Sequence, residues 1–401
     1  MRMRAARPDE YQQILELIAR AFPPGDPAVG LVATTVHNDP RFHPELLRVA
    51  ERDGRIVGVV HLIDRPVRIG VAQIPCAMIA PLATAPEHQG SGVGSALMRD
   101  ALDWMRAHGK LLSMLWGHPW LYPRYGYAPG IKRYCISVPA TLRPYGETAY
   151  TLRPATPSDA CALAEVYHTA TATTTLAETR SDQPWEWRAP DPATTTEVVI
   201  DPAGALRGYL RSTPRADHLY VGEVMALDLG AARALFDRLL QLLRQHGLAE
   251  ARVNSPPDLL WSRVAWAQGA QVCTGNGNGA GMVRVIDTPA LLRALQPELE
   301  RRVRRSEWVA RRSAVRIETP AGRATVRLEH GMIAIDDGRA GNAITLPFHA
   351  LGPLISGYQS IVDLQAATGV YIDGADTLRL LEVLFPEGYP HWAFAAYYGE
   401  G

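Results

Sequence analysis

Only four cysteines occur in 401 residues, Cys76, Cys135, Cys161 and Cys273. They lie far apart and form no C-x-x-C pair, which argues against a disulfide framework and against a thiolate zinc site. They read as reduced thiols. Lysine is scarcer still, since Lys110 and Lys132 are the only two among 41 Lys plus Arg. Net charge is missing as well: 41 basic residues balance 41 acidic ones, so no global field would draw the chain to nucleic acid or to an anionic membrane. No apolar run approaches the ~18–20 residues of a spanning helix, and the charged start has no apolar segment of the signal-peptide kind behind it. The expectation is a soluble, cytoplasmic protein whose partner is a small molecule or a local protein contact. His-Glu-x-x-His, a Cys/His cluster and Gly-x-Ser-x-Gly are all absent, so neither a metal nor a serine-hydrolase elbow is expected.

What is present suffices for two or three cores, because 47% of the residues are apolar and domains usually run to about 100–200 residues. Tyr11, Ile14, Leu15, Ile18 and Phe22 recur at helical spacing. Leu46 to Ala50 and Arg55 to Ile63 flank Asp53-Gly54, a hairpin signal because the tight reversal needs positive φ. Ile69 to Ala83 then reads as one long central strand, and Leu111 to Trp116 as another buried one. Between them lies Gln89-Gly90-Ser91-Gly92-Val93-Gly94, followed by Val93, Leu97, Ala101 and Met105 at helical spacing.

An internal repeat organises the rest. Met3-Arg4-Ala5-Ala6-Arg7-Pro8 is echoed 149 positions later by Leu152-Arg153-Pro154-Ala155-Thr156-Pro157, each before acidic residues and an amphipathic helix. Gly109 to Pro119 and Gly247 to Pro257 match again as helix end, strand and Pro-containing loop. Two αβ units in tandem are therefore expected. The second has Asp228 to Arg233 where the first has its glycine loop, so it should lack a phosphate cradle. Residues 274–281 are a glycine-rich turn without the G-x-G-x-x-G spacing. An Arg-rich helix from Pro289 to Arg312 and short strands from Val315 to Ile344 suggest a smaller α+β region. Its arginines alternate with Glu298, Glu300 and Glu307, which reads as a solvated face.

Gly90, Gly92 and Gly94 carry no side chains, so backbone N–H groups there could approach an anion while the following helix offers its positive dipole end. A pyrophosphate fits such a place; so does a plain tight turn. The wider segment, Ala80 to Met98, closely resembles the acetyl-CoA motif of the GCN5-related N-acetyltransferase (GNAT) family, whose Gln/Arg-x-x-Gly-x-Gly/Ala core corresponds to Gln89, Gly92 and Gly94. The resemblance implies an α/β fold with acetyl-CoA held by Leu82, Ala83, Thr84, Gln89, Gly90, Ser91, Gly92, Val93, Gly94 and Ser95. It also implies that the strand before the loop splays from its neighbour and binds the pantetheine arm as an added strand would. One N–H there could polarise the thioester carbonyl.

The chain as a whole is similar to the enhanced-intracellular-survival (Eis) type of acetyltransferase. Gly352 to Tyr358 and Leu384 to Trp392 look like hallmarks of its third, sterol carrier protein 2-like (SCP2-like) domain. That likeness implies a catalytic GNAT domain at 1–148, a degenerate copy at 149–280 and an SCP2-like α+β domain at 281–401. It further implies hexameric assembly and a terminal carboxylate, here that of Gly401, acting as base. The family's tyrosine acid aligns best with Tyr127, with Tyr122 the neighbouring candidate; an aromatic cluster packed around the pocket would serve either residue equally. Asp26, His118, Tyr122 and Glu400 are candidate contacts to a cationic acceptor, though surface acids and a loop-capping histidine look the same in sequence. The expected reaction is acetyl transfer to a primary amine of an aminoglycoside, polyamine, small amine or lysine. A protein lysine acetyltransferase and a non-catalytic binder of acetyl-CoA or lipid are the rivals.

Overall fold

The computed structural model describes all residues except 182, 184–186, 188–190, 276–279 and 393–401. It divides into two compact units, the described residues of 1–131, 175–177 and 278–390 forming one and the rest the other.

The first unit opens with β1 (Arg2–Ala5) and helices α1 (Tyr11–Ala21) and α2 (Ala28–Asn38). A hairpin of β2 (Leu47–Arg52) and β3 (Arg55–Asp64) follows, turning at Asp53 and Gly54, both at positive φ as a two-residue turn demands. The stretch expected as one strand from Ile69 is three: β4 (Val67–Ile69), β5 (Ala72–Ile74) and β6 (Cys76–Thr84). Gly70, at φ +56°, reverses the chain, and Pro75, which has no N–H to give a ladder, separates β5 from β6. Helix α3 (Val93–Ala107), β7 (Leu112–Gly117) and β8 (Ala128–Ile131) complete this stretch.

Next come β9 (Arg133–Pro139), β10 (Thr151–Pro154), α4 (Ala160–Ala170), the two-residue β11 (Ala177–Glu178), β12 (Thr195–Ile200), β13 (Leu206–Pro214) and β14 (Leu219–Ala226). They are followed by α5 (Leu229–His246), β15 (Glu250–Val253), α6 (Leu260–Ala267) and β16 (Gln271–Gly275). The chain then returns to the first unit through β17 (Ala280–Val285) and α7 (Thr288–Arg304). A four-stranded sheet of β18 (Arg312–Thr319), β19 (Gly322–Glu329), β20 (Met332–Asp336) and β21 (Asn342–Thr345) comes next, then α8 (Leu351–Ser356), α9 (Ile361–Thr368) and α10 (Ala375–Leu384).

Two seven-stranded sheets carry the repeat. Their orders are β1-β2-β3-β6-β7-β17-β8 and β10-β12-β13-β14-β15-β9-β16, with one parallel pair in the same place in each, β6/β7 and β14/β15. The sixth strand of each sheet comes from outside its own stretch of sequence: β17 follows the second copy, and β9, which the sequence expectation keeps with residues 1–148, pairs in the second sheet. A matching device opens both copies. Arg4 grips Glu10 with two 2.8 Å bonds while Arg7 N–H caps the same carboxylate; 149 positions on, Arg153 grips Asp159 at 2.8 and 2.7 Å and Thr156 N–H caps it. Hydrogen bonding from Arg4 outweighs partial burial and holds the Glu10 carboxyl at about 2.

The first sheet is covered on both faces, so β3 is buried almost throughout. Ile14, Leu17, Ile18 and Val32 from α1 and α2 pack with Val49 and Val59, while Leu97, Met98, Ala101 and Met105 from α3 pack with Val60, Leu62 and Ile79.

Candidate active site

Strands β6 and β7 pair in parallel from Cys76↔Leu112 only as far as Ile79↔Leu115, yet β6 continues to Thr84 and β7 to Gly117. Beyond Ile79 the two strands splay. On its other side β6 stays in register with β3, Leu82 opposite Val60, Ala83 opposite Val59 and Thr84 opposite Gly58. Ala85 N–H donates to Val57 C=O, so the alternation of an antiparallel ladder turns Ala83 toward β3 and the backbone groups of Leu82 and Thr84 away from it, into the splay.

Across from this edge stands the glycine loop. Gly90 and Gly92 adopt φ of +74° and +84°, and Gly92 is the left-handed residue that starts α3. Gly92 has no side chain to cap the helix, and the first N–H groups of α3 have no intrahelical partner. Between loop and strand lies a cleft of about 430 Å³, bordered by Leu82, Ala83, Thr84, Gln89, Gly90, Gly92, Val93, Gly94 and Ser95, and closed by Phe22, Met98, Leu121, Arg124 and Tyr125. Among the described residues no acidic side chain lines it, while Arg124, His88 and the helix dipole do. Arg124 forms no ion pair among the described residues and lies over the Tyr125 ring at 5.2 Å. The cleft is positive at its loop end and apolar along Leu82, Val93, Met98 and Leu121. Gln89 Nε2 reaches Thr84 C=O at 3.5 Å and ties loop to strand, whereas Ser91 lies off the cleft, its hydroxyl donating to His88 C=O.

A Cβ at Gly94 would meet only Thr84 Oγ1, at 3.6 Å, so empty space lies where that atom would project. Gly94→Ala should therefore fold at least as stably as the parent, helix propensity adding up to about 1 kcal/mol. It should also weaken CoA binding tenfold or more, about 1.4 kcal/mol. Calorimetric titration with CoA beside a thermal melt reads both; unchanged affinity would remove the anion from this loop.

The three tyrosines of the β7–β8 loop differ in what their hydroxyls do. Tyr127, expected as the acid, is fully buried in the core under α3. Its hydroxyl lies 2.7 Å from Ser113 Oγ, and Ser113 donates onward to Ala77 C=O, so the Tyr127 proton is committed to Ser113. Burial, chiefly, pushes its pKa well above the ordinary tyrosine value. Tyr127 therefore stands apart from the cleft, because its ring serves as core packing. Tyr125 does reach the cleft, and its hydroxyl donates to Ser95 Oγ at 2.8 Å. Tyr122 packs on Gly117, at the splayed end of β7, edge-on to the Tyr127 ring at 6.2 Å, and stands between Leu121 and Tyr125 in sequence without itself bordering the cleft. Its hydroxyl has no hydrogen-bond partner among the described residues, and burial raises its pKa.

The remaining candidates lie elsewhere. Asp26 accepts from Ala28 N–H at 2.9 Å at the start of α2 and does not border the cleft. His118 is exposed, its ring stacked on Trp120 at 4.5 Å. Glu400 and Gly401 lie outside the described residues. Sequence reasoning passed over Arg124 and Tyr125, although both stand in the same Gly117 to Tyr127 segment that supplied the tyrosine candidates.

In the second unit the equivalent helix terminus is occupied by the chain itself. Asp228 caps α5 by accepting from Ala231 N–H and also receives Tyr150 and Arg207, while Tyr150 fills the space over Gly230. A carboxylate stands where the first unit leaves its N–H groups open.

A strand splayed from its neighbour thus faces a glycine-led helix start across one cleft. Residues 2–130 match the acetyltransferase (GNAT) domain family. An uncharacterized N-acetyltransferase of Escherichia coli K12, YjhQ, is 36% identical over 133 residues, which are 32% of this chain and 72% of that protein. The chain belongs to the GNAT family and is an acyltransferase. Solved structures share the fold over nearly the full length. A GCN5-related N-acetyltransferase from Kribbella flavida superposes with a TM-score of 0.76 at 22% identity, covering 98% of this chain and 97% of that one. Eis1 from Mycobacterium abscessus does so with 0.69 at 18%, covering 98% and 99%. No described helix is long and apolar enough to cross a membrane, and the described residues contain no cluster of metal-binding side chains.

Proposed function

We propose that this enzyme transfers an acetyl group from acetyl-CoA to a primary amine by direct attack. The observation that carries the reading is the splay past Ile79 and Leu115, which leaves the Leu82 and Thr84 backbone facing an uncapped helix start across one cleft. The loop from Gln89 to Ser95 and Arg124 would hold the pyrophosphate, and Leu82 and Thr84 the pantetheine arm. An activated thioester is what the co-substrate supplies; the chain must orient it, stabilise charge on the carbonyl oxygen and move two protons. The amine nitrogen bonds to the carbonyl carbon and the carbon–sulfur bond breaks. Tyr122, whose hydroxyl is uncommitted, gives its proton to the departing sulfur. A phenol whose pKa burial raises is protonated at neutral pH and so has a proton to give. The amine proton leaves to solvent or to a base, for which the Gly401 carboxylate is the proposal carried by the resemblance. The same resemblance supports a catalytic, degenerate and SCP2-like succession at 1–148, 149–280 and 281–401, and a hexamer.

Thiol release from acetyl-CoA, followed with a panel of polyamines, aminoglycosides and lysine peptides, tests the reading and sorts the acceptors. Turnover with one class is expected. Failure of acetyl-CoA to bind at all, by calorimetry at millimolar concentration, would overturn it.

A further inference from the structure

We infer that His61 is a positioning residue for acyl transfer, holding the strand β6 backbone so that Leu82 N–H faces the thioester carbonyl. The inference rests on the reading that the thioester lies along β6. His61 stands on β3 opposite an irregularity in the ladder: Val60 pairs with Leu82 but Leu62 pairs with Ile79, so Ala80 and Pro81 together oppose the single residue His61 and β6 carries one extra residue. A bulge costs ladder hydrogen bonds. Pro81 has no N–H to lose, but the Ala80 carbonyl does need a donor, and parallel pairing with β7 has already ended at Ile79. His61 supplies it: its Nδ1 lies 2.8 Å from Ala80 O. A carbonyl can only accept, so Nδ1 carries the proton and the ring is the Nδ1–H tautomer.

His61 is fully buried, and among the described residues its Nε2 has no hydrogen-bond partner, an arrangement that costs free energy without contributing a second bond. Burial holds the imidazole neutral, at about 4, so the donor at Nδ1 is a neutral N–H across the physiological range. An apolar residue would pack here more cheaply among Phe42 and the α1–α2 layer. What histidine adds is one rigid N–H at the point where the backbone changes direction. Two residues on, Leu82 resumes the ladder with its N–H turned into the splay. Fixing the Ala80 carbonyl fixes the peptide planes that lead to it. A donor already aimed where negative charge develops needs no reorganisation during reaction, which is what makes such donors effective.

The test reads the bond itself and needs no acceptor amine. Acetyl-CoA labelled with ¹³C at the thioester carbonyl is bound to the full chain, and its carbonyl band is followed by isotope-edited infrared difference spectroscopy. In the parent protein the band should move to lower frequency than in free acetyl-CoA. In His61→Leu it should return close to the free position while the affinity for acetyl-CoA stays within about threefold, less than 1 kcal/mol. His61→Asn, whose amide can still donate, should keep most of the shift. A full shift in His61→Leu would overturn the inference. A parent band that does not move would instead remove the thioester from Leu82, and the inference would fall with that reading. If His61→Leu does not fold, His61→Met, which refills the volume without a donor, carries the same comparison.

Discussion

Tyr122→Phe is expected to lower kcat by about 10²- to 10⁴-fold, the range that a positioned general acid contributes, with the KM for acetyl-CoA little changed. Tyr127→Phe should leave kcat within a few-fold and cost about 1 kcal/mol of stability, because it loses one buried hydrogen bond to Ser113. Tyr125→Phe should raise KM, since its hydroxyl is engaged with Ser95 in the cleft wall. The three phenylalanine variants thus separate acid, cofactor contact and core within six residues. The pH profile is a second readout. An acid whose pKa is raised above the ordinary tyrosine value of about 10 loses its proton only at high pH, so the parent kcat should fall on the alkaline side above that value. That limb should be missing in Tyr122→Phe. Equal loss in Tyr122→Phe and Tyr127→Phe, or none in the former, would sink the assignment.

The glycine loop was legible because its requirements are local. Positive φ at Gly90 and Gly92 and an uncapped helix start can be read from spacing alone. The hairpin at Asp53-Gly54, the helix from Val93 and the repeat at offset 149 are local in the same way. The tyrosines were not. Tyr122, Tyr125 and Tyr127 share one loop, and which hydroxyl is free depends on Ser113 from β7 and Ser95 from α3, partners fixed only by tertiary packing. No pattern in the sequence says that β17 joins β7 and β8 across more than 140 residues of intervening chain. His61 reads in sequence as one polar residue inside an apolar run, and its meaning appears only once a bulge stands opposite it. For the second copy the sequence showed only that the glycines are missing; that Asp228 caps α5, accepting from Ala231 N–H, depends on side-chain placement that spacing does not give.

The charged residues of α7 carry the second large effect. Alternation with arginine suggested a solvated face, but Glu298 is completely buried. It accepts from Arg301 at 2.6 and 2.7 Å, from Arg302 at 2.6 Å and, across 227 positions of sequence, from Val71 N–H at 3.1 Å. Helical spacing brings the two arginines onto the carboxylate from i+3 and i+4, and the β4–β5 turn closes over it at Gly70, where a Cβ would overlap the carboxylate. Glu298→Ala removes one partner from a buried pair and leaves Arg302, with a side chain only 10% exposed, without its counter-charge. Breaking such a pair from one side costs about 3–5 kcal/mol, so denaturant unfolding of the first unit should shift by that amount. Glu307→Ala, an exposed acid further along, should stay within about 0.5 kcal/mol. The difference should depend on pH in one direction. Burial raises the Glu298 pKa, but the arginines and the Val71 N–H together outweigh it and hold the carboxyl below its ordinary value. A depressed carboxylate stabilises in full above the unfolded value of about 4.3 and loses that contribution as the pH falls through the folded one. The gap between parent and Glu298→Ala should therefore be constant from pH 7 to about 5 and narrow in acid. A gap below about 1 kcal/mol at neutral pH would mean that the arginines find solvent when their partner is gone, and that the β4–β5 turn is held to α7 by packing alone.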